Sequence, residues 1–190
     1  VVGLGDQNSM LGAQHGATLG QDQLDQSRIA ALRGEHGVLI TETHHGLICA
    51  NAGIDASNLA RADTVALLPR DPDLSARQIR AELGVGGNCA VIISDSFGRA
   101  WRLGQAEVAI GCAGLNPLDD WRGRRDSAGR ELAATVIALA DQLAAAADLA
   151  RDKTSRTPAV IVRGLERHIT TADGPGAAAI QRPAAEDLFR

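Results

Sequence analysis

Aromatic residues are scarce in this sequence, which has no Tyr, two Trp and two Phe among its 190 residues. The core must therefore be built from Ala, Val, Ile and Leu, which is typical of an α/β protein. Hydrophobic residues make up 45% and charged residues 22%, so neither disorder nor a fibrous repeat is indicated. A chain of this length can bury one substantial core, and we expect a single domain over residues 1–190.

An excess of positive charge and a long apolar run are also missing. The formal net charge of -4 and the few aromatics provide neither a basic surface nor stacking platforms for nucleic acid. No apolar run approaches the roughly 20 residues that cross a bilayer. The first residues, "VVGLGDQNSMLG", do not resemble a signal peptide. We therefore predict a cytoplasmic protein that binds neither nucleic acid nor membranes.

The sequence has only three cysteines, Cys49, Cys89 and Cys112, widely spaced and in apolar surroundings. An odd number at such spacing argues against a disulfide framework or a zinc knuckle. We predict reduced thiols that serve in packing.

A hairpin is predicted in the first half of the chain. "HGVLITE" (36–42) reads as a strand, and "HGLICA" is expected to pair back on it after a turn at His44, His45 and Gly46. Adjacent side chains of a strand point to opposite faces, so we interpret the two histidines as turn residues rather than ligands of one ion. "TVALLP" (64–69) is predicted as a further strand.

The next segments indicate a helix followed by a buried strand. "DPDLSARQIRAELG" predicts a helix with Ser75 as its N-cap, Gln78 completing a capping box and Gly84 as its stop. "NCAVIISD" (88–95) predicts a central strand covered on both faces. Its end in Ser-Asp-Ser would place polar groups at the sheet edge where α/β proteins bind ligands.

An alanine-rich segment, 127–153, predicts one long helix packed on the sheet. Its apolar stripe consists of Leu132, Val136, Leu139 and Leu143. "PAVIVRGL" (158–165) predicts one more buried strand. The expected fold is thus α/β, with a central mixed sheet and a long Ala-rich helix packed on it.

Two aspartates are the main candidates for chemistry. Asp55 follows a loop of small residues, and Asp95 follows the predicted buried strand. With Ser96 and Asn58 they provide oxygen donors, which suit Mg²⁺ or Mn²⁺ rather than zinc. The alternative left open is that each aspartate is a turn residue that bonds its own backbone.

"FGRAWR" (97–102) offers a second group of candidates. Arg99 and Arg102 could bind a phosphate or carboxylate through paired hydrogen bonds, and Trp101 could stack on a planar ligand. The alternative is a loop whose Trp plugs the core edge and whose arginines are solvated. "DDWRGRRDSAGRE" (119–131) is expected to be a solvated, salt-bridged loop before the long helix.

Several runs match one known family in order: "ETHHGLICANAGIDASN", "LLPRDPDLSARQIRAELG", "VIISDSFGRAWRLGQAEVAIGCAG" and "DGPGAAAIQRPAAEDLFR". They resemble the coenzyme F420:L-glutamate ligases, also called F420-0:gamma-glutamyl ligases. The resemblance covers about residues 24–190 and implies a gamma-glutamyl ligase-like fold. Residues 1–23 do not resemble the family's leading segment and its GTP-contacting motif, so we interpret them as a divergent or incomplete start. We expect no flavin-binding C-terminal domain.

The resemblance implies a ligase of coenzyme F420 biosynthesis that depends on GTP and a divalent metal. It would join L-glutamate to the deazaflavin precursor F420-0 through an acyl phosphate. It implies that Asp55, Asp95 and Ser96 hold Mg²⁺ or Mn²⁺ and that Asn58 binds GTP. It also admits K⁺ as a further cation and suggests a homodimer.

Two alternatives to an active ligase remain open at this point. One is a catalytically inactive fragment or remnant that binds only the coenzyme or a partner. The other is an unrelated metal-dependent phosphatase, which would release phosphate without glutamate.

Overall fold

The computed structural model describes residues 2–5, 30–35, 38–55, 57, 64–85, 87–151 and 154–187. The strands in this part of the chain are β1 (Val2–Gly5), β2 (Ala30–Glu35), β3 (Val38–Glu42), β4 (Ile48–Ala50), β5 (Val91–Arg99), β6 (Arg102–Ala113), β7 (Leu118–Asp120), β8 (Val136–Ala138) and β9 (Ala159–Ile161). The α-helices are α1 (Pro72–Glu82) and α2 (Leu139–Asp148).

The main sheet has four strands in the order β6-β5-β1-β9. β1 runs parallel to β5 and antiparallel to β9, while β5 and β6 form a long antiparallel hairpin. The sheet is therefore mixed, which confirms the predicted α/β class. β1 was missed from the sequence because four residues with two glycines show no alternation, and its position depends on pairing with β5 and β9.

Strand β5 is covered on both faces, as predicted. Ala90 and Ile92 belong to a core cluster that includes residues of α2. Val91 and the partly buried Ile93 pack with Ala76 of α1 on the opposite face. Because side chains alternate along a strand, even-numbered residues of β5 face α2 and odd-numbered residues face α1. This alternation decides where the candidate site residues on β5 point.

Helix α1 begins one turn before the predicted cap. Asp71 is the N-cap and its Oδ1 accepts the Leu74 N–H at 2.8 Å, and Pro72 follows at the first helical position. Ser75, the predicted cap, lies inside the helix, and its hydroxyl donates to the Asp71 carbonyl. Gly84 follows the helix end with φ +63°, as the predicted stop.

Both helices are tied to β6 by carboxylates in their first turns. Asp73 Oδ1 accepts the backbone N–H of Cys112 at 2.8 Å, and Asp141 Oδ1 accepts that of Ala109 at 2.9 Å. A Cβ added to Gly111 would overlap the carbonyl of Pro72, so only glycine allows α1 to approach β6 this closely. These contacts fix β6, and with it the β5–β6 ladder.

The long alanine-rich helix was predicted wrongly in its first half. Helix α2 covers only ten residues, and β8 pairs with β7 in an antiparallel hairpin. The hairpin continues outward through backbone hydrogen bonds such as Trp121 N–H to Thr135 O and Leu132 N–H to Arg124 O. Backbone groups of residues 127–138 therefore form hydrogen bonds partly across a hairpin, and helix α2 begins only after the hairpin ends.

Two predicted strands also differ from the structure. Residues 64–69 form no strand and contribute one isolated bridge, between Ala66 and Asp55. Residues 158–165 contain the three-residue strand β9 at the sheet edge, where Ile161 is 62% exposed rather than buried. The hairpin of β3 and β4 is confirmed, with the Thr43 N–H donating to Leu47 O in its turn.

The cysteines are free thiols, as predicted. Burial is the main cause that raises the pKa of Cys49 to about 11 and that of Cys112 to about 12. Both thus stay protonated at neutral pH and serve in packing. Neither α-helix in the described ranges is long and apolar enough to cross a membrane.

Candidate active site on strand β5

Asp95 and Ser96 lie inside β5 rather than at its end, because the strand continues to Arg99. The last pair between β5 and β1 joins Ser94 to Gly5, so Asp95 is the first residue beyond the described end of β1. The carboxyl ends of parallel strands are where α/β sheets bind ligands. Asp95 therefore lies at the predicted edge of the sheet, although the strand itself goes on.

The side chains of Asp95 and Ser96 point to opposite faces of the sheet. Ser96 lies on the α2 face, where its hydroxyl donates to Glu107 Oε1 at 2.5 Å. Asp95 lies on the α1 face, and its negative charge, after burial, contributes to the raised pKa of Cys49 on β4. The two side chains thus do not approach a common point from one face, which residue types alone did not reveal.

Asp55 forms a turn of the kind that the sequence left open. Its Oδ1 accepts the Ser57 N–H at 2.7 Å, and its Oδ2 accepts the Ser57 hydroxyl at 2.8 Å. Its backbone is bridged to Ala66. An ionised carboxylate has about four acceptor positions. The turn and a role as metal ligand are therefore compatible.

The segment before Asp55 adopts an uncommon backbone. Asn51, Ala52 and Gly53 all have positive φ, at 51°, 57° and 69°. Left-handed backbone costs a residue with a side chain on the order of 1 kcal/mol. This reversal follows β4 directly, and β4 lies beside β5. The chain therefore uses strained backbone between β4 and Asp55, and such strain is common at functional sites.

Asn58 lies outside the described residues, so its GTP contact stays a prediction. The other candidates, Arg99, Trp101 and Arg102, lie at the tip of the β5–β6 hairpin. Trp101 is 86% exposed, so it does not plug the core edge. Arg99 is four residues beyond Asp95, about 13 Å along the strand. The structure does not bring these three residues together with Asp95.

Glu107 and Arg151 complete the surroundings of Ser96 and were missed from the sequence. Glu107 is 4% exposed, and Arg151 Nη2 lies 3.0 Å from its Oε2. This ion pair is not a hydrogen bond, and Glu107 Oε2 is the one buried side-chain polar atom in the described ranges without a hydrogen-bond partner. A carboxylate inside the apolar run "AEVAIGCA" was the signal that could have found it.

The donor set suits a hard divalent cation. In the part of the chain that the structure describes, no three His, Cys, Asp or Glu side chains group to hold a metal. The predicted set needs only the two carboxylates and the Ser96 hydroxyl, and oxygen donors are those that Mg²⁺ and Mn²⁺ prefer. The assignment of Asp55, Asp95 and Ser96 as ligands stays a prediction.

The two histidines lie in the β3–β4 turn, as expected. The reason that they do not ligate one ion differs from the one that the sequence suggested. Their ring centroids are 3.6 Å apart, so the side chains do not diverge. His45 Nε2 lies 2.8 Å from Pro69 O, and His44 Nε2 lies 3.2 Å from Arg70 O. A carbonyl oxygen only accepts, so each Nε2 must carry the hydrogen and cannot ligate a metal there.

His45 should make stability depend on pH. Burial is the main cause that lowers its pKa below the ordinary 6.5. As pH falls below about 6.5 the unfolded chain takes up the proton first, so the free energy of unfolding should decrease until the folded-state pKa is passed. Urea unfolding at pH 7.5 and pH 5 should show a smaller difference in His45→Gln than in the wild type. An unchanged difference would contradict this role.

Residues 17–164 match the sequence model of the F420-0:Gamma-glutamyl ligase family. The chain is 45% identical over 178 residues to the coenzyme F420:L-glutamate ligase of Methanothermobacter thermautotrophicus, covering 87% of this chain and 69% of that protein. It is 48% identical over 156 residues to the protein of the same name from Methanopyrus kandleri, with 80% and 62% covered. For that of Methanocaldococcus jannaschii the identity is 41% over 170 residues, with 88% and 66% covered. The chain thus spans about two thirds of the length of these relatives.

Proposed function

The chain belongs to the F420-0:gamma-glutamyl ligase family, and we propose that it forms an amide bond between L-glutamate and F420-0 in coenzyme F420 biosynthesis, using GTP. The observation that carries this proposal is the similarity over residues 17–164, which contain both candidate aspartates. The position of Asp95 beyond the parallel pair β1 and β5 supports it, because such edges bind ligands.

Amide formation from a carboxylate is uphill in water, so the carboxylate must first be activated. A carboxylate oxygen of F420-0 attacks the γ-phosphorus of GTP, the bond to the β–γ bridging oxygen breaks, and GDP leaves. The glutamate amine then attacks the acyl carbon of the acyl phosphate and loses a proton, while the bond from that carbon to the phosphate oxygen breaks. Such transfers depend mostly on positioning and charge neutralisation.

Asp55, Asp95 and Ser96 are the residues that would hold Mg²⁺ or Mn²⁺, with K⁺ as a further cation. A bound divalent cation would neutralise the charge of the transferring phosphoryl group. Asp55 is kept in place by the Ser57 turn and Asp95 by the β5 ladder, so neither carboxylate has to be ordered when the phosphates bind.

Asp55→Asn separates the two roles of this carboxylate. Asn can keep the turn, because its Oδ1 accepts the Ser57 N–H, but it loses the charge. We expect GDP release in the presence of F420-0 and glutamate to fall at least about 100-fold. Asp126→Asn is the matched control, since Asp126 forms an exposed turn by accepting the N–H groups of Ala128 and Arg130. Equal activity of both variants would leave Asp55 as a turn residue only.

Calorimetry and product assays distinguish the proposed ligase from its alternatives. We expect GTP to bind in a Mn²⁺-dependent manner, and GDP and phosphate to accumulate over many turnovers only when F420-0 and glutamate are both present. An inactive remnant would give no metal-dependent heat with GTP. A phosphatase would release phosphate without glutamate.

We also propose a homodimer, with the hairpin tip in its interface. Leu103 is 98% exposed beside Trp101, and apolar side chains in that position favour burial against another chain. Light scattering should give the mass of two chains, and Leu103→Ser should shift the protein towards one. A monomeric wild type would contradict this proposal.

A further inference from the structure

Asp55 is bonded through its backbone to residues 66–70, the segment that leads into α1. Its N–H donates to Ala66 O at 3.1 Å, and the Ala66 N–H donates to Asp55 O at 2.7 Å. Hydrogen bonds in both directions fix the Asp55 backbone relative to this segment. The contacts that hold residues 66–70 in place therefore also hold Asp55.

Gly53 and Leu68 form a second contact between the same two parts of the chain. A Cβ added to Gly53 would overlap Leu68 Cδ1, so the Leu68 side chain packs directly on the glycine backbone. The loop that precedes Asp55 is thus packed on the segment as well as hydrogen-bonded to it.

The β3–β4 turn holds the far end of the segment. His45 Nε2 donates to Pro69 O at 2.8 Å. In the neutral ring Nδ1 is then an acceptor, and it lies 3.3 Å from Thr43 Oγ1. Thr43 Oγ1 accepts the Leu47 N–H with a lone pair, so its own hydrogen is available for Nδ1. Both ring nitrogens are therefore bonded, and the ring is fixed between the turn and the segment.

We propose that His45 is a positioning residue, which keeps the Asp55 carboxylate in place for a divalent cation by fixing residues 66–69. This inference rests on the proposed function, in which Asp55 is a ligand of that cation. Each Asp55 oxygen accepts one hydrogen bond from Ser57 and keeps an acceptor position for a cation. His45 acts through residues 66–69 and does not touch the cation.

Two substitutions separate the hydrogen bond of His45 from its packing. His45→Leu keeps an apolar side chain but leaves Pro69 O without its donor. His45→Gln keeps a donor, because the amide N–H₂ of Gln can take the place of the imidazole Nε2–H. We expect the first variant to loosen residues 66–69 and the second to hold them.

Amide hydrogen exchange, followed residue by residue by NMR on the full chain, measures this loosening. In His45→Leu the N–H groups of Asp55 and Ala66 should exchange about tenfold faster than in the wild type. The N–H of Ile92, in the buried part of β5, should exchange at the wild-type rate. His45→Gln should match the wild type at all three positions.

Mn²⁺ affinity, measured by electron paramagnetic resonance on folded protein, tests whether the positioning matters for the cation. We expect His45→Leu to bind Mn²⁺ about tenfold more weakly and His45→Gln to bind it like the wild type. A structural role alone would lower stability and leave the affinity of the folded protein unchanged. His168→Leu is the matched control, since the His168 ring bonds Arg167 and not residues 66–70, and it should bind like the wild type.

Three results would overturn the inference alone, provided that Asp55→Asn weakens Mn²⁺ binding. They are unchanged exchange of the Asp55 and Ala66 amides in His45→Leu, wild-type Mn²⁺ affinity of that variant, and an equal loss of affinity in His168→Leu. Absence of Mn²⁺ binding by the wild type, or wild-type affinity in Asp55→Asn, would overturn the proposed metal role of Asp55 and the inference with it.

Circular dichroism establishes first that each variant folds. If His45→Leu does not fold, His45→Asn replaces it. The shorter amide of Asn stays near Thr43 but does not reach Pro69 O. The same pattern is expected, with faster exchange of the Ala66 amide and weaker Mn²⁺ binding than in His45→Gln, and the same three results would overturn the inference.

Discussion

Asp95→Asn should lower ligase turnover by about 100- to 1000-fold while the protein keeps its fold. Asn has nearly the shape of Asp, and its Oδ1 can still accept the Ser96 N–H that Asp95 Oδ1 accepts at 2.8 Å. No cavity is created in β5. What is lost is the negative charge that would hold the cation against the phosphates, so the effect should fall on chemistry rather than on stability.

Turnover of Asp95→Asn is measured as GDP release in the presence of F420-0 and glutamate, and its melting temperature by circular dichroism. Asp126→Asn removes a charge from an exposed turn and should match the wild type in both. A variant at Asp95 that failed to fold yet still bound Mn²⁺ would contradict the assignment. So would turnover equal to that of the wild type.

Arg80→Met should cost at least roughly 3 kcal/mol of the free energy of unfolding. Arg80 is 7% exposed and donates to the carbonyls of Cys89 at 2.9 Å, Gly87 at 3.1 Å and Thr170 at 2.6 Å. Each carbonyl left without a donor costs about 1 kcal/mol or more. The ion pair with Asp173 adds less, because that carboxylate is 47% exposed and remains solvated.

Urea unfolding measures this loss. Arg77→Met is the matched control, because Arg77 lies three residues earlier on α1 and is only half-buried. We expect that control to change the free energy of unfolding by about 0.5 kcal/mol or less. Equal losses in the two variants would show that Arg80 matters as part of the helix and not through the loops that it joins.

Local sequence signals were sufficient to predict several secondary-structure elements. The apolar run of β5, the hairpin of β3 and β4, and the stop of α1 at Gly84 each have a signature within a few residues. The position of Asp95 at the sheet edge was also predictable, because Asp95 follows the apolar run of β5 directly. Its role as a metal ligand stays a prediction.

The prediction of one long helix was wrong because part of the segment forms a hairpin in spite of its high helix propensity. Alanine favours a helix over 127–153, but Gly129 has φ +80° in a turn where its N–H donates to Asp126 O. A glycine closing such a turn was a visible signal of chain reversal. Val136 and Ile137, both β-branched, then pair in a strand before α2 begins.

The geometry around Ser96 could not have been read from the sequence. The pairing of Ser96 with Glu107 depends on the register of β5 and β6, which shifts between Ile93 and Ser94. A shift of one residue would have turned Glu107 to the other face. Arg151 reaches the same carboxylate only because α2 ends where it does, a boundary that the sequence misplaced.

Anomalous scattering from crystals grown with Mn²⁺ and GTP would test the central claim most directly. The account predicts a manganese peak at coordination distance from the Asp95 carboxylate, with Asp55 ligating the same ion or a neighbouring one that shares the GTP phosphates. Manganese bound elsewhere, with both carboxylates clear of any ion while GTP is present, would contradict it.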